Sequence, residues 1–294
     1  MSLTIRPLTP NFVGEVPGLD LTQPVTREQV AAIETGMDRY AVLVFHDQRF
    51  TDEQQKAFSQ NFGPLEHTAG GNVTKPSEKR LDPYMADVSN LGIDHKPLAR
   101  DDRKRMFNLG NQLWHSDSSF RAVPAKYSLL SGRVTVGKGG QTQFCDMRAA
   151  YDTLDDSTKA EIEDLICEHS LIYSRGLLGF DDLTPEELAM FKPVRQRLVR
   201  THPVTGRKSL YLSSHAGTIV GWPVPEARAF LRDLTEHATQ PRFFYSHSWQ
   251  QYDFTMWDNR STVHRVTRFD NNRIRDMRRT TVAGDSETVA QLAA

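Results

Sequence analysis

The stretch "NQLWHSDSSF", Asn111 to Phe120, sets His115 and Asp117 two residues apart beside Trp114, in a run of otherwise small polar residues. Two readings compete. His-x-Asp is common by chance and can be an incidental surface pair. It can also be two-thirds of a metal site whose third ligand lies elsewhere. The second reading makes a structural demand. On a helix, residues i and i+2 point nearly opposite ways, whereas on a strand they share a face. A metal site therefore predicts an extended segment at 114–118, and "WHSDS" carries no helical stripe to oppose it.

Composition narrows the field. The chain has 294 residues, near the upper end for one hydrophobic core, and no Ser/Gly/Pro linker divides it, so a single domain over 1–294 is expected. The 36 basic and 37 acidic residues nearly cancel, so no global field points to nucleic acid or to a membrane surface. Cys145 and Cys167 form neither a CxxC pair nor a disulfide framework, which suits a reducing compartment. The opening "MSLTIRPLTPNFVGEV" lacks a charged segment followed by an apolar run, so no signal peptide is expected and a cytoplasmic location is. No apolar run is long enough to span a bilayer.

Local patterns supply the elements. "TREQVAAIETGMDR" (26–39) and "TDEQQKAFSQNFG" (51–63) each open with Thr and carry Gln three residues later, the signature of a capped helix. "YAVLVFHD" (40–47) is short, apolar and rich in β-formers. "AKYSLLSGRVTV" and "QTQFCD" read as strands joined by the turn "GKGG". Residues 146–168 read as one helix with Ile162, Leu165 and Ile166 buried, and "PEARAFLRDLTEHATQ" (225–240) as another. "RFFYSHSW", "DFTMWDNRSTVHRV" and "RDMRRTTVAG" follow as three strands. Regular βα alternation is missing, so the pattern favours a mainly β sandwich, jelly roll or barrel with flanking helices. Residues 66–105 are polar, with several Gly and Pro, and long for a loop, which marks a lid or binding loop.

Two histidines and a carboxylate with open positions make the facial triad of non-haem Fe(II) oxygenases. Among the remaining histidines His264 stands out, in "MWDNRSTVHR" just before the basic strand. Arg275 follows it by eleven residues and Arg279 by fifteen. On a strand, Arg275, Met277, Arg279 and Thr281 share one face. If that face is interior, two buried cations require two anions. A solvated basic edge strand is the competing reading.

These stretches, with "GGQTQFCDMRAAYD" and "ATQPRFFYSHSW", resemble in order the Fe(II)- and 2-oxoglutarate-dependent dioxygenases of the taurine dioxygenase superfamily. The likeness is greatest to the branch that oxidises 2,4-dichlorophenoxyacetate and runs from about "YAVLVFHDQ" to "RRTTVAGD". It implies a double-stranded β-helix, or jelly roll. It implies His115, Asp117 and His264 as iron ligands, Thr142 and Arg275 as the hold on the distal carboxylate of 2-oxoglutarate, and Arg279 as the contact to the substrate's acid group. With O2 as the oxidant, the products are succinate, CO2, a phenol and a 2-oxo acid. Asn111 matches a position near cosubstrate and substrate, and His215 a substrate-side histidine. His202, His67 and Lys96 fit exposed or core-satisfied residues better, and Trp114 and Trp257 fit packing. A homo-oligomer acting on a small anion is expected. The likeness is loosest across residues 66–95, the segment expected to cover the substrate.

Two alternatives stay open at this stage. The same machinery fits another small anion, such as taurine or another alkylsulfonate. A non-catalytic jelly-roll metal binder is the other, although metal binding alone needs none of Thr142, Arg275 and Arg279.

Overall fold

A computed structural model describes residues 3–68 and 73–292. Both capped helices form as the sequence predicts. In the helix Arg27–Tyr40, Thr26 Oγ1 accepts the Gln29 amide while Gln29 Oε1 accepts the Thr26 amide, satisfying two end donors at once. Thr51 and Gln54 repeat this at the helix Asp52–Gln60. That helix ends at Gln60, a turn before the expected Gly63, because Asn61 caps it. The first helix stops at Ala41, whose φ of 62° is left-handed, and the chain passes directly into the strand Val42–Phe45.

Two sheets enclose the site. The larger runs, in spatial order, Arg6–Pro7, Val13–Glu15, Val42–Phe45, Phe254–Asp258, Ala125–Val134, Asp276–Ala283 and Ala86–Asp87. The smaller places Thr142–Asp146 between Phe244–His247 and Thr262–Val266. Period-two alternation sorts their side chains. Val42, Val44, Leu130, Trp257 and Met277 of the larger sheet meet Phe144 of the smaller in one buried cluster. Leu43, Phe45, Leu129, Phe254 and Met256 face the other way, against the two N-terminal helices. Cys145 and Val263 point outward onto a third cluster built with the helix Val224–Ala238. The fold is thus a jelly roll with helices on its outer faces.

Three sequence readings need correction. The helix expected over 146–168 is two short helices, Met147–Asp152 and Asp156–Ile162, followed by the strand Ile166–His169. Asp146 and Asp155 cap them, and the second cap breaks the run. "DFTMWDNRSTVHRV" is two strands, because Asn259–Ser261 turn the chain from one sheet to the other. Residues 114–118 are not a strand. His115 makes a single β-bridge to His264, and Asp117 opens the turn that follows.

The segment between 73 and 108 folds over the open end of the sandwich, with the strand Ala86–Asp87 paired to Arg278 and Arg279. An ion cluster pins it there. Arg80 Nη2 donates to Asp87 Oδ1 at 2.9 Å and to Asp276 Oδ1 at 3.1 Å, and Lys104 Nζ reaches Asp87 Oδ2 at 3.0 Å. Burial pushes the Asp87 carboxyl up, but Arg80 and Lys104 outweigh it and hold the group at about 2, below its ordinary 3.8. A depressed carboxyl stabilises the fold above its unfolded value and loses that contribution as pH falls towards its folded one. Asp87→Asn is therefore expected to cost about 2 kcal/mol at neutral pH, with roughly half of the difference gone by pH 3. Denaturant midpoints of the two proteins across that range check this. A gap that did not narrow would mean the clamp is not electrostatic.

Candidate metal centre and the two cavities beside it

Backbone pairing brings the two histidines together. The His115 amide donates to the His264 carbonyl at 3.0 Å and the His264 amide returns the bond at 2.8 Å, leaving the rings 4.2 Å apart. His115 Nδ1 lies 2.8 Å from the Leu113 carbonyl, which can only accept, so Nδ1 carries the proton and Nε2 keeps a bare lone pair. The His264 ring is held by packing, against Trp257 at 4.7 Å and Phe144 at 6.0 Å. Both Nε2 atoms converge on Asp117, at 3.9 Å from Oδ1 for His115 and 3.7 Å from Oδ2 for His264.

Asp117 is aimed by a closed network. Its amide and the indole N–H of Trp257 both donate to Asn259 Oδ1, at 3.1 Å each. Asn259 Nδ2 donates to Ser128 Oγ at 2.9 Å, and Ser128 donates to Asp117 Oδ2 at 2.7 Å. Ser118, at φ 56°, turns the chain away immediately afterwards. Burial raises the Asp117 carboxyl, but Arg279, His264, His115 and the Ser128 hydroxyl bring it down to about 2. Burial lowers both histidines from their ordinary value, which favours the neutral ring. Ligand atoms of the three residues lie within 4.8 Å of one another. Two neutral imidazoles and one carboxylate, all buried, suit a divalent cation with coordination positions to spare.

One cavity opens on this cluster and a second lies next to the first, and Asn111 lines both. The first is walled by His115, Asp117, Phe120, Arg175, His215 and Arg279. The second is walled by Val88, Asn90, Leu109, Val266, Phe269 and Arg275. Arg275 is buried over the Phe269 ring at 5.1 Å, and its guanidinium donates only to the carbonyls of Val88 and Gly140, at 3.2 and 3.4 Å. Burial alone lowers it to about 10. Gly140 (φ 70°) leaves it room, since a Cβ there would lie 3.3 Å from Arg275 Nε. Thr142, two residues on, is buried as well. Its Oγ1 accepts the Trp249 indole N–H at 2.9 Å, so its own hydroxyl proton is left to donate.

Arg279 is placed differently from the sequence expectation of a cation reserved for a ligand. Its Nη1 donates to Asp117 Oδ1 at 2.5 Å, while its Nε is buried with no partner among the described residues. His215 Nδ1 sits 2.8 Å from Ser174 Oγ, with its ring 6.1 Å from that of His115, so it belongs to the first cavity. The remaining candidates fall outside. His202 Nε2 pairs with Asp258 Oδ2 at 3.1 Å, in a buried corner closed by Arg260. Lys96 is exposed, His67 stacks edge-on to Tyr84, and Trp114 lies under the Arg265 guanidinium on the outer surface of the metal strand. Sequence reasoning treated Trp257 as packing alone and missed Asn259, Ser128, Trp249 and Arg175. The run "MWDNRS" held the first signal, because an asparagine beside a tryptophan next to a ligand strand is the kind of group that orients a carboxylate.

Comparison with known proteins agrees with this geometry. Residues 4–281 match the family described as taurine catabolism dioxygenase TauD, TfdA. An alpha-ketoglutarate-dependent 2,4-dichlorophenoxyacetate dioxygenase of Cupriavidus pinatubonensis is 44% identical over 97% of this chain and 99% of its own. A (S)-phenoxypropionate/alpha-ketoglutarate-dioxygenase of Sphingobium herbicidovorans is 37% identical over 98% of each. The crystal structure of AAD-2 in complex with Mn(II) and N-oxalylglycine superposes with a TM-score of 0.96 at 64% identity, covering 98% of this chain and 100% of that one. The chain belongs to the TauD/TfdA family of dioxygenases.

Proposed function

We propose that this chain is an Fe(II)- and 2-oxoglutarate-dependent dioxygenase that hydroxylates the carbon between the ether oxygen and the carboxylate of an aryloxyalkanoic acid. The observation that carries this is a pair of cavities, each with a buried arginine, that share Val88, Asn108 and Asn111 as walls, the first lined by His115 and Asp117 of the His-Asp-His cluster and the second by Val266, two residues after His264. A cosubstrate and a substrate, both anions, need two such chambers and one shared centre. The Mn(II) and N-oxalylglycine bound to AAD-2 support a divalent metal and a 2-oxoglutarate cosubstrate, since N-oxalylglycine has the skeleton of 2-oxoglutarate with N–H in place of one methylene.

His115, Asp117 and His264 would hold the Fe(II), which would supply the coupling of 2-oxoglutarate decarboxylation to C–H hydroxylation by O2. The chain's residues do the rest. Arg275 meets the distal carboxylate of 2-oxoglutarate with a planar fork, gaining the anion that its burial lacks. Trp249 fixes the Thr142 oxygen so that the hydroxyl donates to that carboxylate. In the other chamber Arg279, with its Nη1 on Asp117 and its Nε without a partner among the described residues, adds a donor for the substrate's acid group, and Asn111 and His215 line the same chamber. The segment clamped by Arg80, Asp87 and Lys104 covers this chamber and excludes water. Hydroxylation consumes one 2-oxoglutarate and one O2 and yields succinate and CO2. The hydroxylated carbon is a hemiacetal, which collapses to a phenol and a 2-oxo acid.

Among the described residues no helix is long and apolar enough to cross a membrane. Free, buried Cys145 and Cys167 suit a reducing compartment, which supports a cytoplasmic enzyme. Exposed Leu177 and Leu178, beside a groove lined by Trp114 and Leu212, support a homo-oligomer.

The deciding experiment is a panel of aryloxyalkanoates, alkylsulfonates and sulfate esters with Fe(II), ascorbate and 2-oxoglutarate, following substrate-dependent succinate. Phenoxyacetates should give the highest kcat/KM, and no succinate with any compound would refute the reading. Arg275→Ala should raise the KM for 2-oxoglutarate by about 100-fold, on the order of 3 kcal/mol for a buried charged pair, with a much smaller effect on the aryl acid. Equal effects on both would remove Arg275 from the cosubstrate chamber.

Ser128→Ala tests the network behind Asp117. It leaves Asn259 Nδ2 without its acceptor and Asp117 Oδ2 without its donor. Metal affinity should fall roughly 10- to 100-fold. Anaerobic titration with Mn(II) reads this directly, and wild-type affinity would show that the serine only fills space.

A further inference from the structure

Buried arginines in this chain fall into two kinds. Those that tie the fold together meet carboxylates. Arg148 Nε lies 2.9 Å from Asp146, Arg260 Nη2 lies 2.7 Å from Asp258, and Arg80 bridges Asp87 and Asp276. Arg275 meets none among the described residues, and the reading above gives it an anionic ligand. Arg175 repeats its environment in the other chamber.

Arg175 ends the helix Leu171–Gly176 and is only 5% exposed. Its guanidinium lies 4.4 Å above the Phe107 ring, as Arg275 lies above Phe269. Gly110 also borders it closely, since a Cβ there would fall 2.3 Å from Nη1 and 2.4 Å from Cζ. The group therefore packs against a ring and needs bare backbone at Gly110. Nη1 donates to Ser174 Oγ at 3.2 Å, and Nε has no partner among the described residues. Burial lowers it to about 10 with no acid to offset the cost, the same balance as at Arg275. Arg200 also lacks a carboxylate contact, but it lies against Tyr211 and lines neither chamber. Arg175 lines the chamber that holds His115, Asp117, His215 and Arg279. Arg279 is already paired with Asp117, so its charge is largely spent there. The uncompensated positive charge of the chamber sits on Arg175.

We propose that Arg175 is a specificity-determining anion receptor of the prime-substrate chamber, selecting an ionised acid over a neutral ether of the same shape. This rests on the assignment of that chamber to an anionic aryloxy substrate. Lys79, Arg80 and Lys104 at the rim add a field, but Asp87 engages Arg80 and Lys104 directly. Arg175 is the cation of this wall whose desolvation only a ligand can relieve.

The test compares phenoxyacetate with phenoxyacetamide, which keeps the ether and the ring and removes the charge. Binding is measured by calorimetry on Mn(II)-loaded protein with 2-oxoglutarate in the absence of oxygen, so that no turnover is needed. Wild type should prefer the acid strongly. Arg175→Met, which keeps the stem, should weaken phenoxyacetate at least 30-fold, leave phenoxyacetamide within about 3-fold, and leave the 2-oxoglutarate affinity unchanged. Arg175→Lys should recover part of the preference. Gly110→Ala, which pushes the guanidinium out of its slot without removing it, should lower the preference in the same direction. Arg175→Met that keeps the wild-type preference overturns the proposal, as does an equal loss for acid and amide, which is the mark of a merely structural residue. Failure of the succinate panel with the binding difference intact would instead overturn the assigned reaction and leave the receptor standing.

Discussion

The side-chain amide of Asn259 is the point on which the site depends. It accepts from the Asp117 amide and the Trp257 indole, and it donates to the serine that donates to Asp117. Every polar atom in that ring is satisfied, which a buried network requires if it is to stiffen a site rather than weaken it. Asn259 sits in the turn that carries the chain from Phe254–Asp258 in the larger sheet to Thr262–Val266 in the smaller. The turn that joins the sheets thus also aims the carboxylate, and the strand leaving it delivers His264. Trp257 serves both ends, donating to Asn259 and packing on the His264 ring.

Charge is distributed on the same economy of position. Carboxylates that hold the fold together each meet a guanidinium directly, as Asp146, Asp258 and Asp276 do. The strand Asp276–Ala283 separates the two uses by parity. Asp276 and Arg278 point away from the chambers, where Arg278 meets Asp52 at 2.6 Å. Arg279 points inward with Met277. Arg275, just before the strand, faces inward as well.

Much of this was legible in the sequence, for physical reasons. The two capping boxes are local, so Thr26 and Thr51 declared their helices. The alternation of Arg275, Met277 and Arg279 needed only period two, and it held. His115, Asp117 and His264 could be read because ligand chemistry admits few residue types. What escaped was set by tertiary contacts. Residues 114–118 looked like a strand because the ligands had to share a face. The chain meets that demand with one bridge and a left-handed Ser118. The helix at 146–168 failed because Asp155 competes locally for the backbone and because Ile166–His169 finds strand partners on both sides, in Val194–Arg197 and Ala216–Ile219. Arg175 was invisible, since "SRG" carries no pattern and its meaning comes from Phe107 and Gly110, more than sixty residues earlier in the chain. Arg279 was read with its substrate role but without its bond to Asp117, which no spacing rule reveals.

The parity of Asp276–Ala283 has an evolutionary side. An inserted or deleted residue between Arg275 and Arg279 would exchange the two faces, turning a ligand arginine outward and driving a structural ion pair into the chamber. The pairing register with Ala125–Val134 already shifts once between Asp276 and Met277. Changes of length are therefore shut out of this strand. The segment between 73 and 108, which lines the same chamber, can change in composition and length without putting the frame of the strand at stake.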